Sequence, residues 1–295
     1  MIQLASVMKI MNIKYIAKIE PGQDGAVWNN YLFRFDSKGK CFVYDLSDIE
    51  HSEGGKCEYI SSFALDKSDI IAPHSNCVTF GNEYYDPDDE YPLLYTNIYN
   101  NYAKADNPMK GTCLVYRIRK NGNEFTSDMV QIIEIGFTED ENYWKSREDA
   151  RPYGNFTIDR EKGIYYAFTM RTGKNTTRYF SFDLPGLSQG FPDGKLNVNK
   201  VILGTEDIKG YFDCEYHRFL QGAVFNEGKI YSLEGFTDNE ANPAAMRIID
   251  ADKKLQMEYI SFAKLGFPIE PELIDFANDK CYYGDYEGNL YILEF

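Results

Sequence analysis

The 295-residue chain predicts an all-β fold, namely a five-bladed β-propeller. The first observation is a short run of apolar and aromatic residues that recurs five times, usually closing on an acidic residue, at 41–46, 113–118, 179–184, 246–250 and 290–295. Each run reads as the end of a β-hairpin. The second observation is that apolar residues alternate with polar ones, with no helical stripe longer than about two turns. Repeats of this kind indicate stacked sheets, because a lone four-stranded sheet cannot bury both of its faces.

A further run follows most hairpins and predicts the outermost strand of each blade, at 58–63, 130–135, 200–203 and 258–262. The last unit has an inner strand at 273–276 and a middle pair at 281–285 and 289–295, and then the chain ends. Residues 14–19 match the missing outer strand, so we predict that the N-terminal strand closes the last blade. Closure of this kind leaves no long sheet edge exposed. We expect residues 1–295 to form a single propeller domain.

The length of the chain would allow six or seven blades at a typical repeat of roughly 40 to 45 residues. The explicit repeats take precedence over this estimate. The second and third units are long because they carry predicted surface loops at 86–89, 102–110, 139–149 and 188–197. These loops are rich in turn-forming and polar residues, and they are read either as functional insertions or as decoration.

The amino-acid composition of the chain limits the kinds of partner that it can bind. A net charge of −15 argues against nucleic-acid and anionic-membrane binding, since both need a basic surface. No stretch approaches the roughly 20 apolar residues that span a bilayer, and the N-terminus shows no secretory signal. The six dispersed cysteines have no metal-type spacing and read as small buried apolar residues, which favours a reducing compartment. We therefore expect a soluble, cytoplasmic monomer.

Candidate site residues follow from the propeller geometry. All innermost strands run the same way along the channel, so the residues that begin them gather at one mouth. Each predicted strand start carries a long or ionisable polar group. The candidate ligand-binding residues are Gln23, His74, Asn76, Arg151, Asn155, Arg218, Gln221 and Glu272.

Three of these strand starts have distinctive chemistry. Gln23 and Gln221 each precede a Gly-Ala-Val stretch, in which the small residues let inner strands approach closely and the amide offers both a donor and an acceptor. His74 precedes Asn76 by two residues, on the same side of an extended chain. The structural alternatives are crowding at the channel axis for the glycines and a core role for the histidine.

The fifth strand start places Glu270 and Glu272 on either side of a proline. In an extended chain the two carboxylates point the same way, roughly 6 to 7 Å apart. Like charges so close raise each other's proton affinity, so one could act as an acid while the other stays ionised, or both could hold a divalent cation. The catalytic candidates are therefore His74, Glu270 and Glu272, and the alternative is a pair of solvated carboxylates.

Other candidate motifs are less specific. The arginines Arg147, Arg151 and Arg218 could clamp a carboxylate or a phosphate at the mouth, or pair with nearby acids. The acidic run 86–90 has oxygen ligands that calcium prefers but lacks the spacing of a calcium loop, and it reads as a solvated turn.

The Gln-Gly, His-x-Asn and Glu-Pro-Glu motifs at successive inner strands resemble those of poorly characterised bacterial five-bladed propellers, some related to phage-tail and teichoic-acid-associated propellers. This resemblance implies a ligand site in the funnel carried by Gln23 or Gln221, His74 with Asn76, and Glu270 with Glu272, and it supplies no reaction. Five-bladed glycosidases of the arabinanase type instead carry an Asp at the start of the first blade and further acids in later blades. Asp24 matches the first position, and the second blade offers no matching Asp.

Three function classes remain open at the level of sequence. The first is a small-molecule or carbohydrate-binding module, favoured by amide, imidazole and carboxyl groups that bond to hydroxyls. The second is a glycoside hydrolase or polysaccharide lyase, with a possible divalent cation held by His74 and the glutamates. The third is a protein-interaction scaffold, because propellers serve all three roles.

Overall fold

Five small sheets surround a common axis in the computed structural model, which describes residues 12–71, 73–98, 111–136, 154–171, 176–215, 217, 219–236 and 241–295. The innermost strands contact one another in turn around the axis. The predicted five-bladed β-propeller is therefore confirmed. Within the described ranges the longest helix is α1 (Leu46–His51), which Asp45 caps by accepting a hydrogen bond from the backbone N–H of Ser47.

Strands are numbered along the chain, and blades by the order of their inner strands. The first strand, β1 (Asn12–Lys18), belongs to the last blade. Blade 1 contains β2 (Gly25–Trp28), β3 (Tyr31–Phe35), β4 (Lys40–Asp45) and β5 (Ser61–Ala64). Blade 2 contains β6 (Val78–Phe80), β7 (Leu94–Asn97), β8 (Thr112–Asn121) and β9 (Glu124–Ile135), extended by β13 (Phe191–Asp193) and β14 (Val198–Leu203).

The remaining blades each have four antiparallel strands. Blade 3 contains β10 (Phe156–Asp159), β11 (Ile164–Arg171), β12 (Thr176–Asp183) and β15 (Gly210–Glu215). Blade 4 contains β16 (Leu220–Asn226), β17 (Lys229–Glu234), β18 (Ala245–Asp250) and β19 (Leu255–Ser261). Blade 5 contains β20 (Pro271–Ala277), β21 (Lys280–Asp285) and β22 (Asn289–Glu294), followed in space by β1.

The last blade is closed by the N-terminal strand, as predicted. Strand β1 pairs antiparallel with β22, from Asn12 opposite Glu294 to Lys18 opposite Asn289. Ile16 and Ala17 of β1 are buried in the apolar core between blades 5 and 1. The closing strand therefore contributes both backbone hydrogen bonds and core contacts.

The outer strand of the third blade was predicted wrongly. Residues 200–203 form part of β14, which lies parallel to β9 on the outside of blade 2, and the outer strand of blade 3 is β15. The predicted surface loop 188–197 contains β13, which covers part of β14. The apolar pattern of a strand specifies which face is buried but does not specify the partner, and here the parallel partner belongs to the preceding blade.

Five apolar cores hold the ring together, and each lies between two neighbouring blades. Between blades 1 and 2, for example, Phe33 and Phe80 pack edge to face with ring centroids 5.3 Å apart. Aromatic side chains suit this position, because flat blades that face each other leave a thick apolar layer to fill. All six cysteines are buried, as predicted, and each is a free thiol.

Candidate functional site

Predicted site residues from four blades meet at one end of the channel. Gln23 of blade 1 donates from Nε2 to Glu272 Oε1 of blade 5 at 3.2 Å. Gln221 of blade 4 donates from Nε2 to Glu270 Oε1 at 2.6 Å. Asn155 of blade 3 donates from Nδ2 to the carbonyl oxygen of Gln221 at 3.4 Å. We call these five residues the mouth cluster.

A β-bulge places Glu272 in this cluster. In the pairing of β20 with β21, Pro271 lies opposite Asp285 and Leu273 lies opposite Gly284, so Glu272 is an extra residue without a ladder partner. Bulges re-aim side chains and are common beside functional sites. The carboxyl group of Glu272 consequently turns into the mouth and is almost fully buried.

Blades 4 and 1 have similar irregularities at the mouth. Strand β16 has one extra residue between Leu220 and Ala223, the stretch that contains Gln221. In blade 1 the N–H of Gln23 and the carbonyl oxygen of the next residue both bond to the backbone of Phe35, so two residues face one. Three members of the mouth cluster therefore leave their strands at local irregularities, which no sequence pattern had indicated.

The predicted close approach of inner strands is confirmed at two glycines. A Cβ atom added to Gly222 would collide with the carbonyl oxygen of Glu272 in β20, and one added to Gly25 would lie 2.9 Å from Cδ1 of Leu273 in β20. Neither position has room for a side chain. The glycines thus bring the strands that carry Gln23 and Gln221 close to β20.

Asp24, the residue that matches the glycosidase pattern, links the inner strands of neighbouring blades. Its carboxyl oxygens accept hydrogen bonds from the N–H of Val78 at 2.8 Å and of Ile274 at 3.4 Å, in the two neighbouring blades. Burial raises the pKa of this carboxyl well above its ordinary value. Asp275 similarly accepts from the N–H of Val27 at 2.7 Å. Both groups satisfy backbone donors that would otherwise face the channel unpaired.

His74 and Asn76 differ from the predicted arrangement. Ser75 between them has a φ of +58°, so the chain is not extended and its two neighbours do not alternate as in a strand. Asn76 is fully buried and donates across the channel to the carbonyl oxygen of Leu220 at 3.1 Å, while its own oxygen accepts from Asn97 at 2.7 Å. His74 is partly buried, and burial lowers its pKa to about 4. Its imidazole is therefore neutral near pH 7.

Arg34 is a charged residue of the site that sequence reasoning missed. It is fully buried, and its Nη2 donates to the carbonyl oxygens of Gly22 at 2.7 Å and Asp285 at 2.8 Å. Its guanidinium interacts electrostatically with Glu272 and Asp24. An available signal was its position between Phe33 and Phe35 in a predominantly apolar strand, where an arginine requires buried partners.

The two glutamates hold protons more tightly than isolated carboxyls. Burial raises the pKa of Glu272 well above its ordinary value, nearby Glu270 raises it further, and Arg34 opposes both effects. Burial also raises the pKa of Glu270, which remains partly exposed, and the hydrogen bond from Gln221 opposes this shift. Glu270 therefore raises the pKa of Glu272, whereas burial and the bond from Gln221 account for the pKa of Glu270 itself.

Several buried polar atoms at the mouth have no hydrogen-bond partner among the described residues. The acceptors are Gln23 Oε1, Asn155 Oδ1 and Glu272 Oε2, and the donors are Arg34 Nε and Nη1. Buried polar groups are nearly always paired, so a group of unpaired ones in one cluster points to a bound partner.

Other predicted residues lie elsewhere. Arg147, Arg151 and Arg218 fall outside the described residues. Nowhere in the described ranges do three His, Cys, Asp or Glu side chains gather as a metal site would require. In the acidic run 86–90, Asp86 accepts from the N–H of Asp88, and Asp89 pairs with Arg117 at 2.6 Å, as in a surface turn. None of the described helices is long and apolar enough to cross a membrane.

Comparison with known proteins identifies no family. No protein-family model and no curated protein sequence matches the chain. A glutaminyl cyclase from Myxococcus xanthus is 9% identical, with a TM-score of 0.49, and the match covers 97% of this chain and 95% of that chain. The computationally designed Ika8 protein is 10% identical, with a TM-score of 0.35 and coverages of 96% and 100%. Similarity this low carries no argument about function, and the comparisons give no support to a phage-tail or teichoic-acid relationship.

Proposed function

We propose that the protein binds a small polar ligand, either a small molecule or a carbohydrate, at the mouth of its central channel. The mouth cluster, Gln23, Asn155, Gln221, Glu270 and Glu272, provides the hydrogen bonds. The observation that carries this proposal is the set of unpaired buried acceptors on side chains from three blades. A ligand that supplies donors there removes the cost of leaving them unpaired, about 1 to 3 kcal/mol for each group.

The construction of the cluster supports the same proposal. Its side chains are fixed by hydrogen bonds between blades, and rigid, convergent polar groups are typical of ligand sites. Asn76, whose amide is fully engaged, has the role of holding blades 2 and 4 in place. His74, Arg151 and Arg218 stay predictions for this site.

A binding screen with matched variants tests this function. The protein, Gln23→Ala and the exposed control Glu287→Gln are compared by ligand-detected NMR against small metabolites and oligosaccharides. Glu287 lies in the turn that joins β21 to β22, outside the mouth cluster. We expect ligands that bind the protein and the control alike but bind Gln23→Ala at least about tenfold more weakly. Binding that Gln23→Ala leaves unchanged would refute a site at the mouth.

A hydrolase or lyase is a second candidate, favoured specifically by the Glu270–Glu272 pair. Glu270 has a raised pKa and is partly exposed, so it is able to give a proton to a leaving group and take one back. Product release from an oligosaccharide that is lost in Glu270→Gln but retained in Glu287→Gln would support catalysis. Retention of the oligosaccharide without any product would leave binding as the function.

A further inference from the structure

In the mouth cluster, hydrogen-bond donors and acceptors are not equally occupied. The amide donors are used inside the cluster: Gln23 bonds to Glu272, Gln221 to Glu270, and Asn155 to the backbone of Gln221. The atoms of these side chains that have no partner at all among the described residues are acceptors, one each on Gln23, Asn155 and Glu272. A ligand group that donates several hydrogen bonds complements these acceptors.

The charges at the mouth favour a cation. Glu272 interacts electrostatically with the carboxyl groups of Glu270 and Asp24, and within the described part of the chain the guanidinium of Arg34 opposes them. The Arg34 guanidinium has three carboxyl groups acting on it, those of Glu272, Asp24 and Asp285, so this region retains protons or attracts a positive group. A protonated amine has three N–H donors, no acceptor and a positive charge, and it meets both requirements at once.

Arg34 specifies a second feature of the ligand. Its Nη2 is held by two carbonyl oxygens, whereas its Nε and Nη1 are buried without a partner in the described ranges. These two nitrogens can donate to an acceptor supplied by the ligand. A hydroxyl oxygen close to the amine supplies one.

We propose that the ligand bound at the mouth is an amine carrying a neighbouring hydroxyl, as in an amino sugar or an amino alcohol. This inference rests on the proposed function. The ammonium group bonds to Gln23, Asn155 and Glu272, and the hydroxyl accepts from Arg34. The net charge of −15 draws such a cation toward the protein.

Matched probes test this inference by titration followed by NMR and calorimetry. Glucosamine is compared with glucose and with N-acetylglucosamine, which lacks the charge, and ethanolamine is compared with ethylene glycol. We expect each amine to bind at least about tenfold more tightly than its neutral partner. Comparison of glucosamine with ethanolamine shows whether the ligand is an amino sugar or a simple amino alcohol, because only glucosamine carries a sugar ring.

Two variants locate the effect. Glu272→Gln keeps the shape and removes the charge, and it should weaken glucosamine binding at least about tenfold while Glu287→Gln changes it less than about twofold. If Glu272→Gln fails to fold by circular dichroism, the partly exposed Glu270→Gln replaces it, with the same expectation.

The outcomes separate this inference from the proposed function. Equal binding of amine and neutral probes, both lost in Gln23→Ala, would refute the amine and keep the mouth as a binding site. Failure of both amines to bind would also refute the amine, and the broad screen would then decide the function alone. Amine binding that is insensitive to Gln23→Ala and to Glu272→Gln would refute both.

Discussion

Single carboxyl groups replace sheet hydrogen bonds along the channel wall. An inner strand has a neighbour in its own blade on one side, and its other edge faces the channel. Asp24 accepts from the backbone N–H groups of Val78 and Ile274, and through them it ties blade 1 to blades 2 and 5. An aspartate that reads in the sequence as a candidate catalytic group therefore serves the structure of the ring.

We predict that Asp24→Ala destabilises the protein more than loss of a surface aspartate. Two buried N–H groups would lose their acceptor, at a cost of about 1 to 3 kcal/mol each. The control is Asp252→Ala, which removes a carboxyl whose side chain is 68% exposed and which pairs with Lys162. Urea unfolding of the two variants measures the difference, and equal midpoints would contradict the bracing role.

His217 should make stability depend on pH. It is fully buried beside Tyr179, and burial, with a smaller effect of Arg247, lowers its pKa well below 6.5. The folded state keeps this imidazole neutral, whereas the unfolded chain binds a proton as the pH falls below about 6.5. The native state is therefore progressively destabilised in that direction. The raised pKa of Glu272 acts with the opposite sign, because the native state then binds the proton first.

Comparison with His217→Asn isolates the histidine. Between about pH 7 and pH 5 the parent protein should lose ~2 kcal/mol more stability than the variant, because only the parent carries the histidine contribution. The carboxyl contribution is common to both and cancels. Urea unfolding at the two pH values provides the measurement, and identical losses would show that His217 titrates alike in both states.

At the scale of single elements, the closing strand β1 should matter for stability. Ile16 is 7% exposed and packs in the core between blades 5 and 1. We predict that Ile16→Ala costs about 2 to 5 kcal/mol, through lost burial and the cavity left behind. The control Ile70→Ala removes the same atoms from a side chain that is 63% exposed, and it should cost less than about 0.5 kcal/mol. A similar loss in both variants, by thermal or urea unfolding, would mean that β1 adds little to closure.

Elements were predictable from sequence where a strand pairs with its neighbour in the chain. The hairpins, the closing strand and the five inner strands carry their own apolar pattern, and the structure has them where that pattern indicates. Strand β14 was not predictable in the same way, because its partner β9 lies 60 or more residues earlier and runs parallel to it. Local sequence contains no record of such a pairing.

The candidate site was predictable in part. The convergence of Gln23, Asn155, Gln221 and the two glutamates follows from the common direction of inner strands, and the structure brings these residues into contact. The bulge at Glu272 and the φ of +58° at Ser75 are backbone irregularities with no side-chain signature. Their consequences, a buried carboxyl and a displaced His74, needed coordinates.

For the whole molecule, the charge of −15 predicts salt-dependent binding of a cationic ligand. Raising the ionic strength from about 0.01 M to 0.1 M shortens the screening length from about 30 Å to about 10 Å. Glucosamine should then bind several-fold more weakly, while N-acetylglucosamine stays within about twofold. Calorimetric titrations at the two salt concentrations measure both, and a parallel response of the two sugars would contradict electrostatic attraction.

The assignment of residues 1–295 to one domain stays a prediction.

The pairing of β1 with β22 also determines how the ring responds to a pulling force. Asn12 lies opposite Glu294, so a force that separates these two residues loads the ladder from its end. The bonds then break one after another, as in a zipper, and do not share the load as they would in shear. The ring is therefore mechanically weak where β1 pairs with β22.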